Sequence, residues 1–271
     1  MTKPPMKPTA PPKPHRGPRG GRPGARSAAR TWSAGEGRIV LYGLHSVAAA
    51  LENPLRAKHR LVATHNAVAR LEERGIALAL APEIVDPRVV AEMVPDDAVH
   101  QGIALVTEPL PAVRVADLAD ARLVLALDQV TDPHNVGAIL RSAVALGADA
   151  LIVTARHSPQ ETGVLAKAAS GAVDLLPQIT VGSLPRALAE LKEQGFTVLG
   201  LDSEAEHDLE NVPLGAKAVL VLGSEGKGLR AAVAAETDAV ARLAASGPLV
   251  SLNVSNAAAI ALYVVHRRLG A

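Results

Sequence analysis

The stretch from Leu127 to Val153, LDQVTDPHNVGAILRSAVALGADALIV, reads as the joint between a strand, a helix and a second strand. An apolar run at 122–127 leads into it, a helical pattern covers 135–146, and a second apolar run occupies 149–154. Strands separated by a helix lie parallel, with the helix crossing one face of the sheet. The pattern then repeats. Further strands are expected at 174–180, 196–201, 217–222 and 238–243, and further helices at 159–170, 183–194, 229–235 and 253–268. Helix 183–194 carries Pro185 near its start and has Gly195 just past its end, the usual asymmetry of helix termini. Such alternation predicts an α/β domain whose mostly parallel sheet is covered on both faces. Connection rules alone would make it an unknotted, doubly wound sheet.

Two later stretches each follow an apolar run. LGSEGKGL spans Leu222–Leu229, and SLNVSNAAAI spans Ser251–Ile260. A strand that empties into Gly223, Gly226 and Gly228 lets the backbone approach a ligand closely, because no Cβ stands in the way. A P-loop needs Ser or Thr after its Gly-Lys, and Lys227 is followed by Gly228. The dinucleotide fingerprint is G-x-G-x-x-G, whereas the spacing here is reversed and encloses Glu225. An acid at that point would repel a phosphate, so the loop suits a ligand without one. This excludes a nicotinamide dehydrogenase. Asn253, Ser255 and Asn256 offer capping side chains for a long apolar helix that ends at His266-Arg267-Arg268, with Gly270 beyond.

Taken together and in this order, the three blocks resemble the three motifs of the SpoU/TrmH family. That family comprises S-adenosylmethionine-dependent RNA ribose 2'-O-methyltransferases. The resemblance covers Leu123 to Gly270 and implies a C-terminal domain tied in a trefoil knot. Nothing in the hydrophobic periodicity shows a knot. The resemblance is nearest to the branch that methylates a guanosine in the peptidyl-transferase region of 23S rRNA. A tRNA ribose methyltransferase and an RNA-binding protein that has lost catalysis are the rivals.

By resemblance, Asn135, Arg141, Glu225, Ser251 and Asn253 are catalytic. S-adenosylmethionine contacts are implied at Gly223, Leu243 and Leu252, with Ser224 and Gly226 beside them in the glycine loop. The family is a homodimer, and helix 253–268, with Ala257, Ile260, Ala261, Val264 and Val265, offers apolar surface for a partner. Asn135 is read as the cap of the helix that follows Pro133-His134. Arg141 lies within the pattern Val136-Ile139-Leu140-Val144, where it is either paired or aimed at a ligand phosphate. A guanidinium is almost never deprotonated in a protein, so a charged Arg141 holding the neighbouring phosphate is physically easier than Arg141 as a base. Asp128 and Asp132 lack a third ligand at a convincing spacing and read as turn residues, not a metal site.

The rest of the chain sets the frame. Its 271 residues are 48% hydrophobic with only four aromatics, Trp32, Tyr42, Phe196 and Tyr263. The core must therefore be aliphatic, and RNA-binding modules that stack bases on rings are disfavoured. No cysteine is present, which excludes disulfides, thiolate metal sites and a cysteine nucleophile. No apolar run reaches membrane-spanning length, and a cytoplasmic protein is expected.

Residues 1–35 contain eight prolines and almost nothing apolar, so a disordered basic tail is expected. Residues 1–30 hold eight Lys or Arg and no acid, which leaves 20 basic against 27 acidic residues after them, about −7. The tail could tether RNA or merely solubilise the chain. From 36 to 108 the pattern is a small α/β domain. Its strands are expected at 38–42, 60–64 and 102–107, and its helices at 44–51, 68–74 and 87–93, with an apolar run at 76–81. Its GLHS and VHQG segments resemble the family's substrate-binding domain, and His45 and His100 are candidates to touch RNA or to be simple turn residues. Residues 109–120, with Pro109 and Pro111, read as a linker before the 121–271 domain.

Overall fold

The structure is a computed structural model and describes residues 37–156, 158–224, 226, 228–247 and 252–270. The basic tail expected from the sequence lies outside these residues.

The small sheet contains β1 (Ile39–Tyr42), β2 (Lys58–Ala63), β3 (Pro82–Ile84) and β4 (Ile103–Thr107), in the order β1-β4-β2-β3. β4 runs antiparallel to both β1 and β2, and β3 runs parallel to β2. All five residues of β4, IALVT, are buried, as a strand covered on both faces requires. Along β4 the side chains alternate: Ile103 and Leu105 join the core shared with α1 (Leu44–Glu52) and α2 (His65–Glu72), while Ala104 and Val106 pack with Val90 of α3 (Pro87–Ala91).

The large sheet contains β5 (Leu123–Asp128), β6 (Ala150–Thr154), β7 (Gln178–Val181), β8 (Thr197–Leu201), β9 (His207–Asp208), β10 (Ala218–Gly223) and β11 (Ala239–Arg242). The order is β7-β6-β5-β10-β8-β11-β9, and every pairing is parallel. Leu123, Leu125 and Leu127 of β5 face α4 (Pro133–Ala145), α5 (Gly163–Ala168) and α8 (Val254–Arg268). Val124 and Ala126 face α6 (Leu184–Glu193) and Val233 of α7 (Ala231–Ala234). This is the two-faced parallel sheet that the sequence predicts.

Several boundaries differ from expectation. Ile76, Leu78 and Leu80 form no strand; they pack half-buried against the core, and β3 begins at Pro82. β3 is an edge strand, where a missing N–H is tolerated. The strand expected at 174–180 starts only at Gln178, behind a 3-10 turn at Ala172–Asp174. The helix expected at 159–170 is confined to Gly163–Ala168 by its cap, Thr162. β9 was not foreseen, since two residues carry no periodicity.

One apolar core runs without a break from α1 and the small sheet to α4, α5 and α8 on the large one. The junction is sealed by ions and glycines. Arg56, 2% exposed, donates from Nε to Asp174 Oδ1 at 2.8 Å and from Nη1 to the Glu108 carbonyl at 2.9 Å, and also pairs with Glu161. Asn53 Nδ2 donates to Asp174 O and Oδ1, each at 3.1 Å. A side chain at Gly163 would collide with the Val40 carbonyl, and one at Gly171 would press on Ala49 and the His45 carbonyl.

Candidate active site

Parallel strands end their polar connections on one edge, where ligands bind in open α/β sheets. At the ends of β8, β10 and β11 lies a cavity of about 380 Å³. That is at the small end of the range for small-molecule sites. Gly223, Ser224, Gly226 and Gly228 of the glycine loop form one wall, and Leu243 and Leu252 form another. The five residues expected to contact a cofactor thus meet around one space. The loop needs its glycines: a Cβ on Gly223 would strike the Gly228 backbone, and Gly226 and Gly228 have φ of 78° and 62°. Gly228 N donates to the Ser224 carbonyl at 3.1 Å and closes the turn.

Two residues outside the loop shape it, and the sequence reading missed their roles. Asp128, at the end of β5 and 1% exposed, accepts from Arg230 N at 3.0 Å and from Arg230 Nε at 2.7 Å. It therefore pins the far end of the glycine loop and is more than a turn residue. Asp202, just past β8, lines the cavity with Ser203 and Glu204. The polar triplet directly after the apolar run 197–201 was the available signal. Arg242 also lines the cavity, but its guanidinium is held by Asp208 at 2.8 Å. Two carboxylates and a neutralised arginine make a space suited to a cationic ligand rather than a phosphate.

A second, smaller cavity of about 150 Å³ adjoins the first through Ser224 and Val254, which line both. Asn135 and the 129–132 segment line the rest of it. Gln129 has φ of 62°, an uncommon conformation for a non-glycine residue and one that clusters at functional sites. Asn135 is not the cap of α4. Asp132 is, accepting from His134 N at 2.9 Å, because the helix begins two residues earlier than expected, at Pro133. Asn135 instead accepts from Asn253 Nδ2 at 3.1 Å. Asn253 does cap its helix: its Oδ1 accepts from Ser255 N at 2.9 Å and from Ser255 Oγ at 2.6 Å. Glu225 and Ser251 lie outside the described residues.

Arg141 lines neither cavity. It is exposed, and the buried stripe of α4 is Val136, Gly137, Ile139, Leu140 and Ala143. It was expected within the apolar pattern, but one residue past Leu140 the helix has turned about 100°. Its surroundings belong to both sheets. His45, exposed in the first turn of α1, has its pKa lowered by burial, then by Arg74, Lys167, Arg70 and Arg141. Lys167 Nζ donates to Gln101 Oε1 at 2.9 Å, and the same oxygen accepts from Leu44 N at 3.0 Å. Burial lowers the Lys167 pKa as well. His100 is a turn residue whose Nδ1 accepts from Gly102 N at 3.1 Å.

Comparison with known proteins places this geometry. The sequence model of the SpoU rRNA Methylase family matches residues 122–263, and that for RNA 2'-O ribose methyltransferase substrate binding matches residues 40–113. The 23S rRNA (guanosine-2'-O-)-methyltransferase RlmB of Pseudomonas putida is 36% identical over 240 residues, spanning 84% of this chain and 96% of that enzyme. RlmB of Escherichia coli K12 is 34% identical over 243 residues, spanning 84% and 98%. The crystal structure of an AdoMet-bound rRNA methyltransferase from Sinorhizobium meliloti shares the fold, with a TM-score of 0.72 and 24% identity. It covers 86% of this chain and 88% of that one.

Proposed function

The chain belongs to the SpoU rRNA methylase family, and on that premise we propose that it transfers a methyl group from S-adenosylmethionine to the 2'-hydroxyl of a guanosine in 23S rRNA. The substrate is taken from the two RlmB relatives, which match nearly their whole length. The observation that carries the reading is the pair of adjoining cavities. Gly223, Ser224, Gly226, Leu243 and Leu252 surround one, and Asn135, hydrogen-bonded to Asn253, lies at the other.

The residues fit the cofactor: the larger cavity has room for a small molecule, close backbone at the glycines, and acids in place of free cations. Bound there, S-adenosylmethionine supplies a methyl group on a positively charged sulfur. Asp202 and Glu204 favour that charge over the neutral thioether product. Asn135 and Asn253, fixed by each other, orient the ribose in the smaller cavity. Charged Arg141 holds the phosphate beside it and steadies the charge that grows on O2'. S-adenosylmethionine held at the glycine loop would supply its methyl group to O2', whose proton would leave for water, with Asn135, Asn253 and Arg141 holding the ribose and its phosphate in place. Such positioning can lower a barrier by roughly 7–11 kcal/mol. Glu225 and Ser251 complete the proposed catalytic set.

In this reading residues 36–108 present the RNA, residues 121–271 carry catalysis, and the enzyme works in the cytoplasm as a homodimer. The knot goes with the family, and the insertion of β10 between β5 and β8 is compatible with it. The purified protein, incubated with radiolabelled S-adenosylmethionine and transcripts of 23S rRNA or tRNA, should label 23S rRNA. Mass spectrometry should then map one 2'-O-methylguanosine. Label only in tRNA, or in neither, rejects the proposed substrate.

A further inference from the structure

We propose that a phosphate-binding track for RNA crosses the junction of the two sheets, built by Arg70 of α2, Arg74 just beyond it, Lys167 of α5 and Arg141 of α4. The identity of the polyanion rests on the functional reading above. The positive surface rests on the side chains themselves. These helices, with α1, all bury their apolar residues in the one core shared by both sheets, so they share a side of the molecule.

The four cations come from helices on both sheets yet act on one point, His45, and among the described residues no carboxylate joins the charges acting there. Arg56, Arg60, Arg114, Arg230 and Arg242 each pair with a carboxylate, whereas no such pair is seen for several others among the described residues, Arg88 and Arg186 included, so it is the clustering around His45 that sets the four cations apart. Among the described residues, Arg70, Arg74 and Arg141 have no such pair, although the exposed Glu72 and Glu73 sit next to Arg74 in sequence. Helix α1, whose first turn holds His45, has no acid there, so its dipole adds to the same field. Lys167 is fixed by Gln101 and packs against Gly43, which brings an α5 cation up to the small sheet.

The global charge makes this local concentration matter. Residues 31–271 carry about −7, a net field that opposes a polyanion. Contacts to phosphate position a nucleic acid without reading its sequence. A track from α2 to α4 would lead the strand from the small sheet to the helix that carries Asn135. Neither sheet holds the whole track, so the sealed junction becomes part of the RNA site.

The test compares two full-length variants with the same change of charge. Arg70→Glu/Arg74→Glu lies on the proposed track. Arg88→Glu/Arg186→Glu lies on α3 and α6, which pack on the opposite faces of the two sheets. Binding of a fluorescent single-stranded RNA of mixed sequence is titrated over a series of KCl concentrations. The track variant should lose at least about tenfold in affinity, and its log–log salt slope should fall by about 1.4, roughly 0.7 for each lost phosphate contact. The opposite-face variant should keep both values.

S-adenosylmethionine affinity should be unchanged in both variants, which shows that the fold is intact. Should the reversal unfold the protein, Arg70→Gln/Arg74→Gln gives the same direction with a smaller change. Equal losses in the two variants, or an unchanged slope in the track variant, overturn the proposal. The two readings fail differently. A wild type that binds RNA through this face but methylates none loses the function and keeps the track. A wild type that methylates RNA while its track variant binds normally loses only the track.

Discussion

Arg141 and His45 show what a single side chain can decide. Arg141 is exposed and stands outside both cavities, so its proposed partner is RNA rather than cofactor. Arg141→Ala should lower the methylation rate on the order of 10²–10³-fold, the usual cost of removing one group that stabilises developing charge. Calorimetry should find S-adenosylmethionine binding unaltered. Arg141→Lys should stay slow, because a point charge does not reproduce the planar fork. Near-normal turnover by the alanine variant ends this assignment. For His45, burial and four cations hold the pKa below the ordinary histidine value. The folded protein therefore favours neutral imidazole. That contribution is fully present above the unfolded-chain pKa near 6.5 and is lost as pH falls through the lowered one. An NMR titration should place the His45 midpoint below that of the unfolded chain, and Arg74→Gln should move it upward. A midpoint insensitive to Arg74 contradicts the electrostatic picture.

At the scale of elements, the junction shows what periodicity misses. Asp174 and Glu161 each lie more than 100 residues from Arg56 in sequence, and no spacing rule links them to it. Nothing in the sequence singles out Arg56. Its burial follows from the docking of α1 against the 3-10 turn at Ala172–Asp174, and the carboxylates follow from its charge. Arg56→Met would strand Asp174, whose side chain is 1% exposed, and should cost about 3–5 kcal/mol in urea denaturation. Arg56→Met/Asp174→Leu should recover most of that, since apolar pairs of similar volume often replace buried ions without loss. A double variant no better than the single would show that packing, not charge, sets the cost. By contrast, the glycine loop, the cap Asn253 and the helix stop at Gly195 were legible in the sequence, because each is local chemistry.

For the whole molecule, the proposed homodimer would engage α8. This helix buries Val254, Ala258, Ala261, Leu262 and Val265 against its own sheet, yet Ile260 and Tyr263 remain 45% and 56% exposed, with Leu252 at 42% just before the helix. Large apolar side chains beside the proposed cofactor cavity are where a second copy would lie. Equilibrium sedimentation should give a dimer at micromolar concentration, and Ile260→Glu/Tyr263→Glu should shift it towards monomer and lower activity. A fully active monomer removes α8 from the proposed interface.

The sequence by itself determined the alternating α/β order, the parallel sheet and the family, and it singled out five of the residues that line the larger cavity. Each of these is written in short-range pattern or in contiguous motifs. Only the tertiary structure decided that Asp132 rather than Asn135 caps α4, that Asp128 holds the glycine loop through Arg230, that Asp202 and Glu204 enter the cavity, and that Arg141 shares its field with Arg70, Arg74 and Lys167. The physical reason is the same in each case. A cap shifted by three residues costs little in periodicity, whereas ion pairs and clustered charges depend on which strand ends and helix faces meet. That is settled by burying one apolar core across both sheets.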